Sequence, residues 1–175
     1  QIMPDTYGMI NTFDYSQLNK FYEEIGAQFE AMKAEGAEAI VVFMHWGEEY
    51  FLDPTEHQVK IAQKLCDMGV DVIVGGHPHV VQPIELVPSA EHPTHHAIVY
   101  SLGNYVSNMS ITHGDVGLAV ELTLEKIAGT TRLKAIKHSL VYSERAALSQ
   151  TGDFRIIPAD TLPTDLSPAT RHRMQ

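Results

Sequence analysis

The sequence predicts an α/β fold that gives way to antiparallel β-structure towards its C-terminal end. Two short apolar runs, "AIVVFM" and "VDVIV", flank an amphipathic stretch. That order is a βαβ unit, with parallel strands and a right-handed crossover. Both runs lead into glycine and histidine, as "HWG" and "GGHPH". Further on, "GLAVELTLEK" and "TRLKAIKHSLVYSE" alternate apolar and polar residues around "IAGT", which signals a hairpin.

Residues 15–35 carry Leu18, Phe21, Ile25, Phe29 and Met32. Spacings of three and four put them on one helical stripe, and Gly36 suits the stop. "EAIVVFM" reads as a buried strand. In "DPTEHQVKIAQKLCDMG", Asp53 suits the N-cap, Pro54 the first helical position and Glu56 the third. Val59, Ala62, Leu65 and Cys66 form the inward face, and Gly69 ends the helix. "VDVIV" and "HAIVYSLGNYV" supply two more apolar strands, so Ile40, Val42, Val72, Val74, Ile98 and Val99 are the expected core. "DFRIIPAD" fits one further short strand. Residues 161–175 are rich in Pro, Thr and Ser and are expected to be a loosely held tail.

A chain of 175 residues suffices for one domain with a core. No apolar stretch is long enough to span a bilayer. The chain opens on "QIMPDTYGMI", without an initiating Met, and is expected to be an excised piece of a longer protein, so missing targeting signals say little about location. A formal net charge of −10 argues against nucleic-acid binding. It also opposes simple capture of an anionic polymer, unless bound cations reverse the sign locally. A single cysteine, Cys66, excludes an internal disulfide and reads as a buried, inert thiol.

Sites in open α/β sheets form beyond the carboxyl ends of the strands. His45 and His77 both fall there, and His79 follows two residues later. In extended chain, i and i+2 point the same way, about 7 Å apart along the backbone. Gly75 and Gly76 free the backbone before the turn, and Pro78 fixes its own φ. Three imidazoles can therefore converge, and neutral imidazole is a common metal ligand. A lone strand-end histidine is more often structural; it is the set of three that favours a metal. His57 is expected to face solvent. His92, His95, His96, His113, His138 and His172 share no context and read as surface or local hydrogen-bonding residues.

Other residues stay open at this level. Trp46 either walls a substrate or packs under its loop. Glu48 reads as a solvated charge, and Glu49 as either that or a ligand-orienting group. In "YSLGN", Asn104 either donates to an oxyanion or serves a turn. There is no P-loop and no Gly-x-Ser-x-Gly elbow.

"HWGEEY", "GGHPHVVQPIE" and "YSLGNYV" occur in order and resemble the bacterial capsule synthesis (CapA, poly-γ-glutamate synthesis) family over roughly residues 11–158. The resemblance implies a calcineurin-like metallophosphoesterase domain, a layered sandwich of mixed sheets flanked by helices with a two-metal site at the strand ends. It makes His45 and His77 ligands of one metal and His79 a ligand of the other, the ions being Mn, Zn or Fe. Glu49 and Asn104 fall on family motif positions and are the candidate catalytic residues. Trp46 and Gln82 are the candidate substrate-binding residues. The family's N-terminal half carries Gly-Asp, Asn-Leu-Glu and Asn-Asn-His-x-x-Asp motifs, and none of them stands ahead of His45. Residues 1–160 are therefore expected to be the C-terminal portion of such a domain, lacking its N-terminal half and inactive alone.

The implied function is a metal-dependent phosphoesterase-like hydrolase in capsule or poly-γ-glutamate synthesis. The alternative is a non-catalytic surface module that guides an anionic polymer for export or anchoring. The implied partners are a phosphoester or anionic-polymer substrate and other capsule-synthesis membrane proteins, at the cell surface or periplasm. An isolated fragment is also expected to dimerise through exposed sheet edges.

Overall fold

A computed structural model describes residues 10–88, 95–161 and 163–174. The chain divides into two compact units, Gln1–Glu38 and Ala39–Gln175. In the first, a 3-10 turn, Tyr15–Gln17, leads into α1 (Leu18–Ala34). Phe21, Ile25 and Phe29 are buried, as their spacing requires, while Met32 is exposed. Gly36 adopts φ +95°. Its N–H bonds Lys33 O, and the Ala37 N–H bonds Met32 O. This is a Schellman stop, which needs a residue tolerant of positive φ.

The second unit holds two sheets. The first contains β1 (Val41–His45), β2 (Val72–Gly76), β3 (Ile84–Pro88) and β4 (His95–Val99), in the order β1-β2-β4-β3. β2 pairs in parallel with both β1 and β4, and β3 is antiparallel to β4. The second contains β5 (Val116–Ile127), β6 (Thr130–Glu144) and β7 (Arg155–Pro158), all antiparallel. Val72, Val74 and Ala97 from the first sheet pack with Leu133 from the second, ringed by Leu102, Leu122 and Ile136. The unit is thus a sandwich of a mixed and an antiparallel sheet. Ala128 and Gly129 both take positive φ in the β5–β6 turn, the backbone that a two-residue hairpin loop demands.

The crossover helix α2 (Glu56–Asp67) starts two residues later than its composition suggests. Its N-cap is Thr55, not Asp53, in a reciprocal capping box with Gln58. The pair Thr-x-x-Gln satisfies two otherwise orphaned N–H groups, which Asp53 with Glu56 does not do here. Ile61, Ala62, Leu65 and Cys66 are inside, whereas Val59, expected on the same face, is exposed. Burial pushes the Cys66 thiol up to about 12, with Asp67 and Glu85 adding to the effect. It is protonated at neutral pH and inert.

β1 differs from a fully buried strand. Ile40, Val42 and Met44 are buried, whereas Val41 and Phe43 are exposed, Phe43 by 78%. β1 ends the strand order, and its residues alternate between exposed and buried. β3 carries no clear alternation, and its terminal Pro88 fits only an edge or strand end. The segment expected to be a loose tail instead carries α3 (Pro168–Arg173), capped by Ser167. Leu166 packs with Tyr142 and Ile157, and Thr170 is buried against Glu144. Proline at the first helical turn is a start signal that bulk composition hides.

All six expected core residues are buried. Val72 sits in the intersheet cluster, so Val72→Ala should lose about 1–3 kcal/mol in urea denaturation. A change below about 0.5 kcal/mol, typical of a surface site, would contradict this packing.

Candidate functional site

Register brings the histidines together. In the parallel β1–β2 pair His45 lies opposite Gly76, and the Trp46 N–H extends the pairing by bonding Gly76 O at 3.2 Å. His77 follows directly after the end of β2. The rings of His45 and His77 stand 4.6 Å apart between centroids, and those of His77 and His79 6.2 Å apart. The three imidazoles thus share one edge of the sheet, although α2 separates His45 from the others in sequence.

Holding them there requires unusual backbone. His77 and His79 both adopt positive φ, +99° and +60°, and Tyr50 sits at +72°. Such conformations oppose an L side chain and persist only where surrounding contacts impose them. The imposing contacts are visible. The Tyr50 N–H bonds Pro78 O at 2.7 Å, and the Tyr50 ring stacks on His79 with centroids 6.3 Å apart. Strain gathered around chemically active side chains is a mark of functional sites.

Asn104 sets the state of His79. Its Nδ2 donates to His79 O at 3.0 Å and to Gly114 O at 2.8 Å. Carbonyls only accept, so the orientation of this carboxamide is settled by its partners. Its Oδ1 then lies 3.0 Å from His79 Nδ1, and an amide oxygen cannot donate. Nδ1 must therefore carry the proton in the neutral ring, leaving the Nε2 lone pair available. A ring nitrogen fixed in this way is the usual second partner of a metal-bound imidazole. Of the two roles left open for Asn104, an oxyanion donor and a turn residue, the contacts place its N–H groups on loop carbonyls and its oxygen against His79, which it orients.

Trp46 and Gln82, read as substrate-binding, lie inside the scaffold, each 2% exposed. Trp46 Nε1 donates to Tyr100 O at 2.9 Å, passing over Gly75. A Cβ at Gly75 would stand 2.0 Å from that carbonyl and 2.4 Å from Nε1, so only glycine admits this crossing. Gln82 Nε2 donates to Phe51 O and Asp53 O, and Gln82 Oε1 accepts from Gln58 Nε2 at 2.8 Å. These buried amides hold the loop after His45 against the segment after His79. Of the residues that the sequence reading missed, Gln58 carries a signal, its Thr-x-x-Gln spacing from Thr55; nothing in sequence points to Tyr50 as a contact of His79. Glu48 and Glu49 are exposed on that loop. A hydrogen bond to Glu49 raises the Tyr50 phenol above its ordinary value, so Glu49 engages Tyr50.

Burial lowers the pKa of His45, and the neighbouring His77 and His79 lower it further. Its neutral, lone-pair form is therefore favoured near neutral pH. The donor chemistry fits a transition-metal ion, but the set is incomplete. Among the described residues no three His, Cys, Asp or Glu side chains are arranged to hold a metal. Asp71, at the opposite end of β2, accepts from the Ile40 N–H at 2.7 Å. Of the remaining histidines, His96 bonds Val70 O through Nδ1, and His57, His113, His138 and His172 are exposed. His92 lies outside the described residues.

The sequence model of a family described as bacterial capsule synthesis protein PGA_cap matches residues 5–109, more than half of the chain. The "PGA biosynthesis protein CapA" of Bacillus subtilis (strain 168) is 40% identical over 98 residues, 56% of this chain and 24% of that protein. The "capsule biosynthesis protein CapA" of Bacillus anthracis is 40% identical over 80 residues, 46% of this chain and 18% of that protein. The chain thus spans about a quarter or less of the length of these relatives. The crystal structure of the calcineurin-like phosphoesterase YfkN from Bacillus subtilis aligns with 87% of this chain and 41% of its own, at 22% identity and a TM-score of 0.38.

The strain at His77 can be measured directly. His77→Gly and His77→Ala remove the same ring, but only glycine accepts φ +99° freely. His77→Gly should be the more stable of the two by about 1–2 kcal/mol in urea denaturation. Equal stability would show that the backbone there is relaxed.

Proposed function

Because the chain belongs to the bacterial capsule synthesis protein family, we propose that it supplies the imidazole side of a metal-dependent, phosphoesterase-like hydrolase site used in capsule or poly-glutamate synthesis at the cell envelope. The observation that carries this reading is the meeting of His45 and His77 at the carboxyl ends of adjacent parallel strands, beside a His79 whose free nitrogen is preset by Asn104. His45 and His77 would hold one divalent ion, Mn, Zn or Fe, and His79 would contribute to a second. When bound, such ions would supply Lewis-acid stabilisation to a phosphoryl or acyl centre.

This chain's own residues present lone pairs and hold them in place. Neutral imidazoles leave dication charge uncompensated, and no carboxylate completes a three-ligand set with them among the described residues. The chain by itself would therefore bind one ion, weakly. Bound cations would also make an acidic protein, of net charge −10, receptive to an anionic substrate such as a phosphoester or a glutamate polymer. No helix among the described residues is long and apolar enough to cross a membrane. The proposed envelope setting rests on the capsule family. The alternative, a non-catalytic surface module that binds or guides an anionic polymer, is separated by turnover.

Isothermal titration of this chain with Mn²⁺ or Zn²⁺ should give one weak site, and His77→Ala should weaken it by about tenfold or more. Two tight sites, or equal affinity in the variant, would contradict the assignment. The full-length protein loaded with metal should turn over a generic phosphodiester or a γ-glutamyl peptide. Stoichiometric metal without turnover of either would favour the polymer-guiding module.

A further inference from the structure

We propose that Arg173, on the C-terminal helix α3, is a positioning residue for the Asn104–His79 pair and acts through Asp115. The inference rests on the reading of His79 as a site residue and adds to it a support outside residues 5–109, where the family match ends.

The connection is continuous. Asn104 holds His79 only while Gly114 O stays aimed at its Nδ2. Gly114 O belongs to the peptide that joins Gly114 to Asp115, so the placement of Asp115 decides the direction of that carbonyl. Asp115 is buried, and Arg173 Nε donates to its Oδ2 at 2.6 Å. The Asp115 carbonyl in turn accepts from the Ser143 N–H at 2.8 Å, and the Asn104 N–H bonds Val116 O at 3.0 Å. Arg173 Nη2 also lies 3.4 Å from Ile111 O, within the same loop.

α3 is anchored independently of this loop. Thr170 Oγ1 donates to the buried Glu144, which also accepts from Arg155 Nε at 2.7 Å. Leu166 packs on Tyr142 and Ile157. The helix therefore delivers a guanidinium to a fixed place. Without it, the Asp115 carboxylate is a buried charge lacking its partner, a state strongly disfavoured. The carboxylate reaches water by turning its backbone, which swings Gly114 O away from Asn104. The carboxamide is then free to rotate, and His79 Nδ1 loses its designated acceptor.

The test follows the Asn104 side-chain amide by ¹H–¹⁵N NMR in the wild-type chain, Arg173→Ala, Asp115→Asn and Arg173→Lys. Arg173→Ala should shift that amide and speed its hydrogen exchange by about tenfold or more, and Asp115→Asn, which weakens the bond to Arg173 without leaving a buried charge, should do both to a smaller extent. Arg173→Lys, which keeps the charge, should restore most of the protection. The backbone signals of Val74 and Ile98 should stay in place throughout. An unmoved Asn104 amide in both disruptive variants would overturn the proposal. So would loss of the Val74 and Ile98 signals in both, since that would make α3 a general stabiliser of the core. The readout involves neither metal nor turnover, so its failure is distinguishable from failure of the hydrolase reading.

Discussion

One carboxamide ties together the loops that meet at the sheet edge. Asn104 donates to the backbone of His79 and to Gly114, and its oxygen faces the His79 ring. Each bond constrains a different segment: the turn after β2, the loop before β5, and an imidazole. A buried polar network of this kind rigidifies when every member is satisfied and becomes costly when one is lost. The two carbonyl acceptors fix which end of the amide faces His79. From that single orientation follow the tautomer of the ring and the exposure of Nε2 for chemistry.

The rest of the site is arranged so that this orientation can persist. β1 and β2 run in parallel and end together, which places His45 and His77 side by side without any local sequence link. Positive φ at Tyr50, His77 and His79 is unfavourable for each residue taken alone. It is countered by the Tyr50–Pro78 backbone bond and by the amide ladder from Gln58 through Gln82 to the carbonyls of Phe51 and Asp53. Trp46, read as either a wall of the site or a residue packed under its loop, is the latter: a strut bonded to Tyr100 across Gly75. The three imidazoles share the sheet edge, yet among the described residues no three His, Cys, Asp or Glu side chains, these included, are grouped to hold a metal.

Much of this arrangement was legible in the sequence. Apolar runs that end in His-Trp-Gly and Gly-Gly-His-Pro-His placed the histidines at strand ends, because a βαβ unit leaves parallel strands a common carboxyl edge. The hairpin was legible from strict alternation around Ala128 and Gly129. Less legible were features set by partners distant in the chain. Asn104 reads equally as a turn residue until His79 and Gly114 are seen around it. Trp46 and Gln82 follow reactive-looking residues, but their burial depends on Tyr100 and on Gln58, far along the chain. β3 and α3 were missed for another reason. Both are short and contain proline; β3 is held by its pairing with β4, and α3 by packing and the Arg173–Asp115 ion pair, not by periodicity. The Arg173–Asp115 pair joins residues 58 positions apart, and no local pattern announces it.

The central claim is that Asn104 holds the His79 ring with its proton on Nδ1. Long-range ¹H–¹⁵N correlation of the imidazoles in the metal-free chain reads this directly. The account predicts, for neutral His79, a protonated Nδ1 and an unprotonated Nε2, with the preference lost in Asn104→Ala. A proton on Nε2 in the wild-type chain, or an unchanged tautomer in the variant, would contradict it.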